Sequence, residues 1–142
     1  MSHLLVVEDD VPTHALLLTL AHRCGCETFS AYDGPPALRR MKSDRPDGIL
    51  LDLLLPTLSG FEMLREMKSS MSDLLPKTIV ITAAAESMLR NCEELQDVRA
   101  MFRKPFDIIG LEDELKLILG GRAPRAVSSK MRTGGTMRLK ID

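Results

Sequence analysis

The 142-residue chain is 44% hydrophobic with a formal net charge of −1, which fits one globular domain with its own core and excludes a disordered or fibrous chain. No apolar run reaches the ~18 residues a membrane span needs. Met1-Ser2-His3 also leads straight into Leu4-Leu5-Val6-Val7, without the basic start and cleavage site of a secretory leader, so a cytoplasmic protein is expected.

His3–Val7 is a short apolar run, read as a strand, that stops at Glu8-Asp9-Asp10. Asp10 can cap a helix over Val11–Cys24, with Pro12 in its first turn and Gly25 closing it. Glu27–Ala31 reads as a second strand. Asp33 then caps a second helix that opens on Pro35-Pro36, carries Ala37, Leu38 and Met41, and ends near Pro46. Gly48–Asp52 is a third strand, apolar enough to be buried on both faces, with a carboxylate where it ends. Pro56 and Gly60 mark a turn, and Phe61–Ser70 is amphipathic, with Phe61, Leu64 and Met67 at helical spacing. A polar connection over residues 69–76 leads to Thr78–Thr82, rich in β-branched residues and read as the fourth strand. Ala83–Leu95 reads as a polar-rich helix and Arg99–Arg103 as a fifth strand. Asp107 caps a last helix over Ile108–Leu119, with Leu111, Leu115, Ile118 and Leu119 facing inward.

Strands alternating with single helices predict a doubly wound α/β domain with a parallel sheet and right-handed crossovers over residues 1–119. The charge is split along the chain. Residues 1–119 hold 13 basic and 19 acidic residues, whereas residues 120–142 hold 6 basic and 1 acidic. The latter stretch, with Gly120-Gly121, Pro124, Ser128-Ser129 and Gly134-Gly135, has the composition of a flexible tail or linker. Within it, Met137–Ile141 alternates apolar and basic residues, the pattern of an edge strand on a partner. Cys24, Cys26 and Cys92 match no zinc or redox spacing and read as reduced thiols.

The strand ends deliver a distinctive set to one edge: Glu8 and Asp9 from the first strand, Asp52 at the end of the third, Thr82 at the end of the fourth and Lys104 from the fifth. Ligands bind at this edge of open α/β sheets. Singly, each has a duller account: an acidic helix start, a turn aspartate, an ordinary strand threonine, an exposed lysine. Together, crowded carboxylates repel unless a cation joins them, and oxygen-only donors select a hard ion, Mg2+ or Mn2+. A lysine and a hydroxyl opposite suit a phosphoryl group, which makes Asp52 the candidate nucleophile in phosphoryl transfer onto a carboxylate.

Val6-Val7-Glu8-Asp9-Asp10, Asp52 followed by Pro56 and Gly60, Ile81-Thr82-Ala83 and Lys104-Pro105-Phe106 together resemble the receiver domain of two-component response regulators, of the CheY-like kind, over roughly residues 3–119. The resemblance implies a flavodoxin-like, five-stranded parallel sheet of order 2-1-3-4-5 and Mg2+-dependent phosphorylation. By position it implies Asp52 as phosphoacceptor and Glu8 and Asp9 as metal acids, with the Leu54 backbone carbonyl completing the shell. Lys104 would pair with the phosphate, and Thr82, with Ala83 and the switch position Met101, would relay the change. Leu54 and Ala84, two residues past Asp52 and Thr82, occupy positions that tune dephosphorylation. The implied partners are a sensor histidine kinase or histidine phosphotransfer protein, docking on the first helix, and an output protein on the face of the fourth helix, fifth strand and fifth helix. Such a protein catalyses only its own phosphorylation and dephosphorylation.

Three features depart from that pattern. Met101 replaces the usual aromatic switch residue. Asp97 stands near a usual glycine. Leu54 and Ala84 offer no group to hold an attacking water, so slow self-dephosphorylation is expected. A flavin-binding reading fails because Glu8-Asp9-Asp10 stands where a phosphate loop is needed, and a haloacid-dehalogenase-like phosphatase would have a second aspartate at Leu54. The polar tail lacks a recognition helix, so specific nucleic-acid binding is not expected, and a single-domain regulator is the leading reading. The alternatives are the receiver piece of a longer regulator, with residues 120–142 as linker, and a phosphorylation-independent pseudoreceiver.

Overall fold

The structure, a computed structural model, describes residues 2–120 and the pair 136–137. Strands β1 (His3–Val7), β2 (Glu27–Ala31), β3 (Gly48–Leu51), β4 (Thr78–Thr82) and β5 (Ala100–Arg103) form a parallel sheet in the order β2-β1-β3-β4-β5. Helices α1 (Val11–Arg23), α2 (Gly34–Asp44), α3 (Gly60–Ser70), α4 (Glu86–Arg90) and α5 (Ile108–Gly120) alternate with the strands. The chain leaves β1 towards β2 on one side and resumes with β3 on the other. The carboxyl ends of β1 and β3 therefore flank the point where strand order reverses, the place such sheets bind ligands.

Strand alternation sorts the core into two layers. Leu5, Val7, Ile49, Leu51, Val80 and Met101 pack on one face with Ala37 and Met41 of α2 and Met63, Leu64 and Met67 of α3. Leu4, Val6, Leu50, Ile79, Ile81 and Phe102 pack on the other with Leu17 and Leu20 of α1 and Leu111 and Leu115 of α5. Ile118 and Leu119 join this second layer partly buried. No helix among the described residues is long and apolar enough to cross a membrane.

The helix starts follow the expected chemistry. Asp10 caps α1 by accepting from the Thr13 N–H at 3.1 Å, Asp33 caps α2 through Gly34 N–H at 2.7 Å, and Asp107 accepts from Ile109 N–H at 3.1 Å before α5. Ser59 and Glu62 form a reciprocal capping box on α3.

Three stretches differ from the sequence reading. The helix expected over Ala83–Leu95 is reduced to the five residues of α4 and a 3-10 turn, Glu93–Asp97. Ala85 stands at the cap of α4 and has no side-chain oxygen to hold it. Beyond Ala84 the buried residues are Leu89, Cys92 and Leu95, which recur every third position, a period that suits a 3-10 turn better than an α-helix. Asp97 sits in that turn and is not among the positive-φ residues, so no left-handed turn replaces the missing glycine. The connection over residues 69–76 is not simply polar: the 3-10 turn Ser72–Lys77 buries Leu74 and Leu75. Finally, Thr136–Met137 forms a two-residue strand, β6, antiparallel to this chain's own β5, with Met137 beside Met101 and Thr136 beside Phe102. The rest of the tail reading, residues 121–135 and 138–142, lies outside the described residues.

Candidate functional site

Glu8 and Asp52 lie one residue beyond β1 and β3, and Lys104 one residue beyond β5. In strand alternation Glu8 continues the Leu4–Val6 row, Asp52 follows Leu50 and Lys104 follows Phe102, all on the α1/α5 face. The sheet register continues past the strand ends: Asp52 N–H donates to Val7 carbonyl at 3.0 Å and Lys104 N–H to Thr82 carbonyl at 3.0 Å. Backbone pairing thus brings together charges distant in sequence. Gly60 lets the following loop lie against the site, because a Cβ there would stand 2.5 Å from both Asp52 O and Leu53 Cα.

Carboxylate oxygens of Glu8, Asp9 and Asp52 lie within 4.8 Å of one another. Glu8 is 0% exposed and Asp52 4%, while Asp9 is exposed. Lys104 Nζ stands 2.9 Å from Glu8 Oε1 and 3.2 Å from Asp52 Oδ2. The other oxygens are held by backbone donors: Asp10 N–H reaches Glu8 Oε2 at 3.1 Å and Leu54 N–H reaches Asp52 Oδ1 at 3.1 Å. Burial pushes the Glu8 carboxyl up to about 7, against the Lys104 contact that lowers it and with the Asp52 charge adding to the rise. Burial alone would lower the Lys104 ammonium, but its contacts with Glu8 and Asp52 hold it above the ordinary lysine range.

This donor set fits a hard divalent cation. Glu8 Oε1 is buried and, despite its ion pair with Lys104, receives no hydrogen bond of good geometry among the described residues. Carboxylate oxygens without histidine or cysteine are the ligands Mg2+ and Mn2+ prefer.

The remaining predicted residues form the adjoining wall. Thr82 is fully buried on the opposite row from Lys104, its Oγ1 accepting from Ala84 N–H at 3.0 Å. Ala84 is buried beneath that bond, whereas Ala83 is exposed. Met101 is fully buried and pairs in register with Val80, which makes it the diagonal neighbour of Thr82. Leu54 is 42% exposed beside the acids.

Two residues here escaped the sequence reading. Arg103 reaches from β5 to the Ala84 carbonyl and braces the loop after β4. His14, 1% exposed on α1, has Nδ1 2.8 Å from the Glu8 carbonyl and Nε2 2.8 Å from Ser30 Oγ, with its ring stacked on Tyr32 at 4.2 Å. The signal for His14 was its place three residues before Leu17 and seven before Ala21, on the buried stripe of α1.

The response regulator receiver domain family matches residues 4–116. Sporulation initiation phosphotransferase F of Bacillus subtilis is 34% identical over 117 residues, covering 82% of this chain and 92% of that protein. Response regulator MprA of Mycobacterium bovis is 31% identical over 130 residues, 90% of this chain but 55% of that protein, so this chain spans about half its length. Among solved structures, response regulator protein TrrA from Thermotoga maritima in complex with Mg(2+)-BeF is 28% identical. It matches with a TM-score of 0.73 over 84% of this chain and 100% of that one.

Proposed function

Because the chain belongs to the response regulator receiver family, we propose that it is a phosphorylation-controlled signalling module whose phosphoacceptor is Asp52. The carrying observation is the cluster of Glu8, Asp9 and Asp52 carboxylates with the Lys104 ammonium against two of them. A carboxylate oxygen of Asp52 forms the new O–P bond as the N–P bond of a phosphohistidine donor breaks, and the donor's imidazole leaves with the electron pair. Glu8, Asp9, Asp52 and the Leu54 backbone carbonyl would hold Mg2+, or Mn2+, which when bound neutralises charge on the carboxylates and the phosphoryl oxygens.

This chain's own residues do the rest. Lys104 bridges Glu8 and Asp52 and is placed to follow a phosphoryl oxygen as charge shifts outward. Thr82 accepts from Ala84 N–H and so keeps its own O–H for a phosphoryl oxygen. Tightening of that contact pulls on Ala83 and Ala84 and is passed to the buried Met101 by packing alone, since a thioether carries no hydroxyl to the surface. The donor, a sensor histidine kinase or histidine phosphotransfer protein, docks on α1, where Val11 and Leu16 are exposed. The output protein takes the face of α4, β5 and α5, where Met88, Ile108 and Ile109 are exposed.

A second reading rests on the half-length match to MprA: residues 1–119 are the receiver segment of a longer regulator and residues 120–142 its linker. A reading frame that runs past Asp142 into a further domain favours this second reading.

The direct test is treatment with acetyl phosphate and Mg2+, read by intact mass. Phosphorylation of the wild type and none of Asp52→Asn is expected. An unmodified wild type, also silent to beryllofluoride, would leave a phosphorylation-independent pseudoreceiver.

A further inference from the structure

The Glu8 backbone carbonyl lies outside α1, whose first helical bond runs from His14 N–H to Asp10 carbonyl at 2.8 Å. The His14 ring turns back and supplies a donor for it: a carbonyl only accepts, so the 2.8 Å contact assigns the Nδ1 proton to Glu8. Nε2 is left to the Ser30 hydroxyl at 2.8 Å, on β2. Tyr32 stacks over the ring at 4.2 Å and 16° between planes. Glu8 is thus gripped at several points: its N–H by Ala31 carbonyl, its carbonyl by His14 and its Oε2 by Asp10 N–H. Its Oε1, ion-paired with Lys104, is buried and receives no hydrogen bond of good geometry among the described residues.

We propose that His14 is a positioning residue for cation binding: through Nδ1 it fixes the Glu8 backbone so that the carboxylate faces Asp9 and Asp52, and Ser30 fixes the ring that does so. The proposal rests on the reading of Glu8, Asp9 and Asp52 as the cation site. Partners that orient a metal ligand from behind typically alter metal affinity by roughly 10-fold or more when removed. A histidine that merely filled the core would act on stability alone.

Two substitutions separate these roles, because asparagine places an amide N–H near the position of Nδ1 and glutamine places its amide near Nε2. His14→Asn keeps a donor for the Glu8 carbonyl and loses the Ser30 contact and the stack. His14→Gln keeps the reach to Ser30 and loses Glu8. Mg2+ dissociation constants of the full chain would be measured by calorimetry, and by emission of Tyr32, the single tyrosine in a chain with no tryptophan. Thermal melting would be followed in parallel without metal.

The expected result is Mg2+ binding about tenfold weaker in His14→Gln and within about twofold of wild type in His14→Asn, at comparable losses of Tm. Equal Mg2+ affinity in the two variants, whether reduced or unchanged, overturns the proposal. Should either fail to fold, His14→Ala takes the place of His14→Gln and Ser30→Ala, which leaves Nδ1 on the Glu8 carbonyl, takes the place of His14→Asn: weaker Mg2+ binding in the first alone supports the role, and equal binding in the two sinks it. Failure of the wild type itself to bind Mg2+ would count against the cation-site reading and so remove the proposal with it.

Discussion

Glu8, Asp52 and Lys104 meet at the sheet edge as charges, whereas Thr82 and Met101, one strand row away, meet as packed volume. The first group lies just past the ends of three strands, where side chains no longer have to be apolar, and is held by N–H donors from Asp10 and Leu54. The second lies within β4 and β5 and is fully buried. Chemistry and stability should therefore separate: the acid pocket carries little of the fold, and the Thr82–Met101 row carries little of the bond-making.

The sharpest way to break this contrast is a pair of substitutions. Asp52→Asn should abolish phosphorylation at little cost in stability, since it removes one of two crowded, buried carboxylates at nearly constant shape. Met101→Ala should do the reverse. Truncating a fully buried methionine in a closed core costs about 2–5 kcal/mol, while Asp52 still accepts phosphate from acetyl phosphate. Urea unfolding and intact mass on the same two samples read both effects. If Met101→Ala abolished phosphorylation while remaining folded, the two regions would be one chemical unit and the contrast would fail.

A smaller effect sharpens it from the electrostatic side. Burial pushes Glu8 up to about 7 from 4.5. A carboxyl whose folded-state value is raised favours the fold when protonated. Its contribution is fully present below about 4.5 and is lost as pH rises through about 7. In the metal-free protein the stability of the wild type relative to Glu8→Gln should therefore fall across that window, read from thermal melts at stepped pH. Mg2+ above pH 7 should restore the wild type and leave Glu8→Gln little changed, because a bound cation stabilises the ionised form. A difference between the two proteins that stays flat from pH 4.5 to 7 would mean Lys104 fully compensates the buried charge.

The same division explains what the sequence made legible. Acids and a lysine directly after apolar runs stand out because charge at the end of a buried strand needs a partner, so the pocket could be assembled from strand ends before its geometry was known. Aspartate caps at Asp10 and Asp33 were equally plain, since each fixes a helix start through its own side chain. The wall beside Thr82 was less legible. Its shape depends on Ala83, Ala84 and Ala85, which carry no polar group to declare a turn, and on a three-residue burial period easily taken for a helix. His14 was hidden for another reason. Its position on the apolar stripe of α1 reads as core, and only the fold brings Ser30 and the Glu8 carbonyl to its two nitrogens. The tail reads as flexible, with a strand on a partner over Met137–Ile141 as the lesser reading, so the pairing of Thr136–Met137 with β5 was not legible: alternation suggests a strand without specifying its bounds or whose edge it joins.

The smallest expected effect concerns Leu54, which belongs to the pocket by position and to neither group by chemistry. It is 42% exposed, so replacing it should leave stability within about 0.5 kcal/mol. Its backbone N–H nevertheless bonds Asp52 Oδ1, so on the proposed function it lies next to the point where water would approach an acyl phosphate. An isobutyl group cannot orient that water, and the buried methyl of Ala84 cannot either, so the wild-type phosphoryl group should survive for minutes or longer. Leu54→Asn supplies a donor and an acceptor at the same place. The decay of phosphorylated protein with Mg2+, followed by mass, should quicken several-fold with the melting temperature unchanged. A wild-type half-life of seconds would mean that water is positioned by some other group. If the wild type is slow and Leu54→Asn equally slow, access of water to the phosphoryl group is blocked by bulk at this position rather than by missing polarity. Leu54→Ala would then be the faster variant.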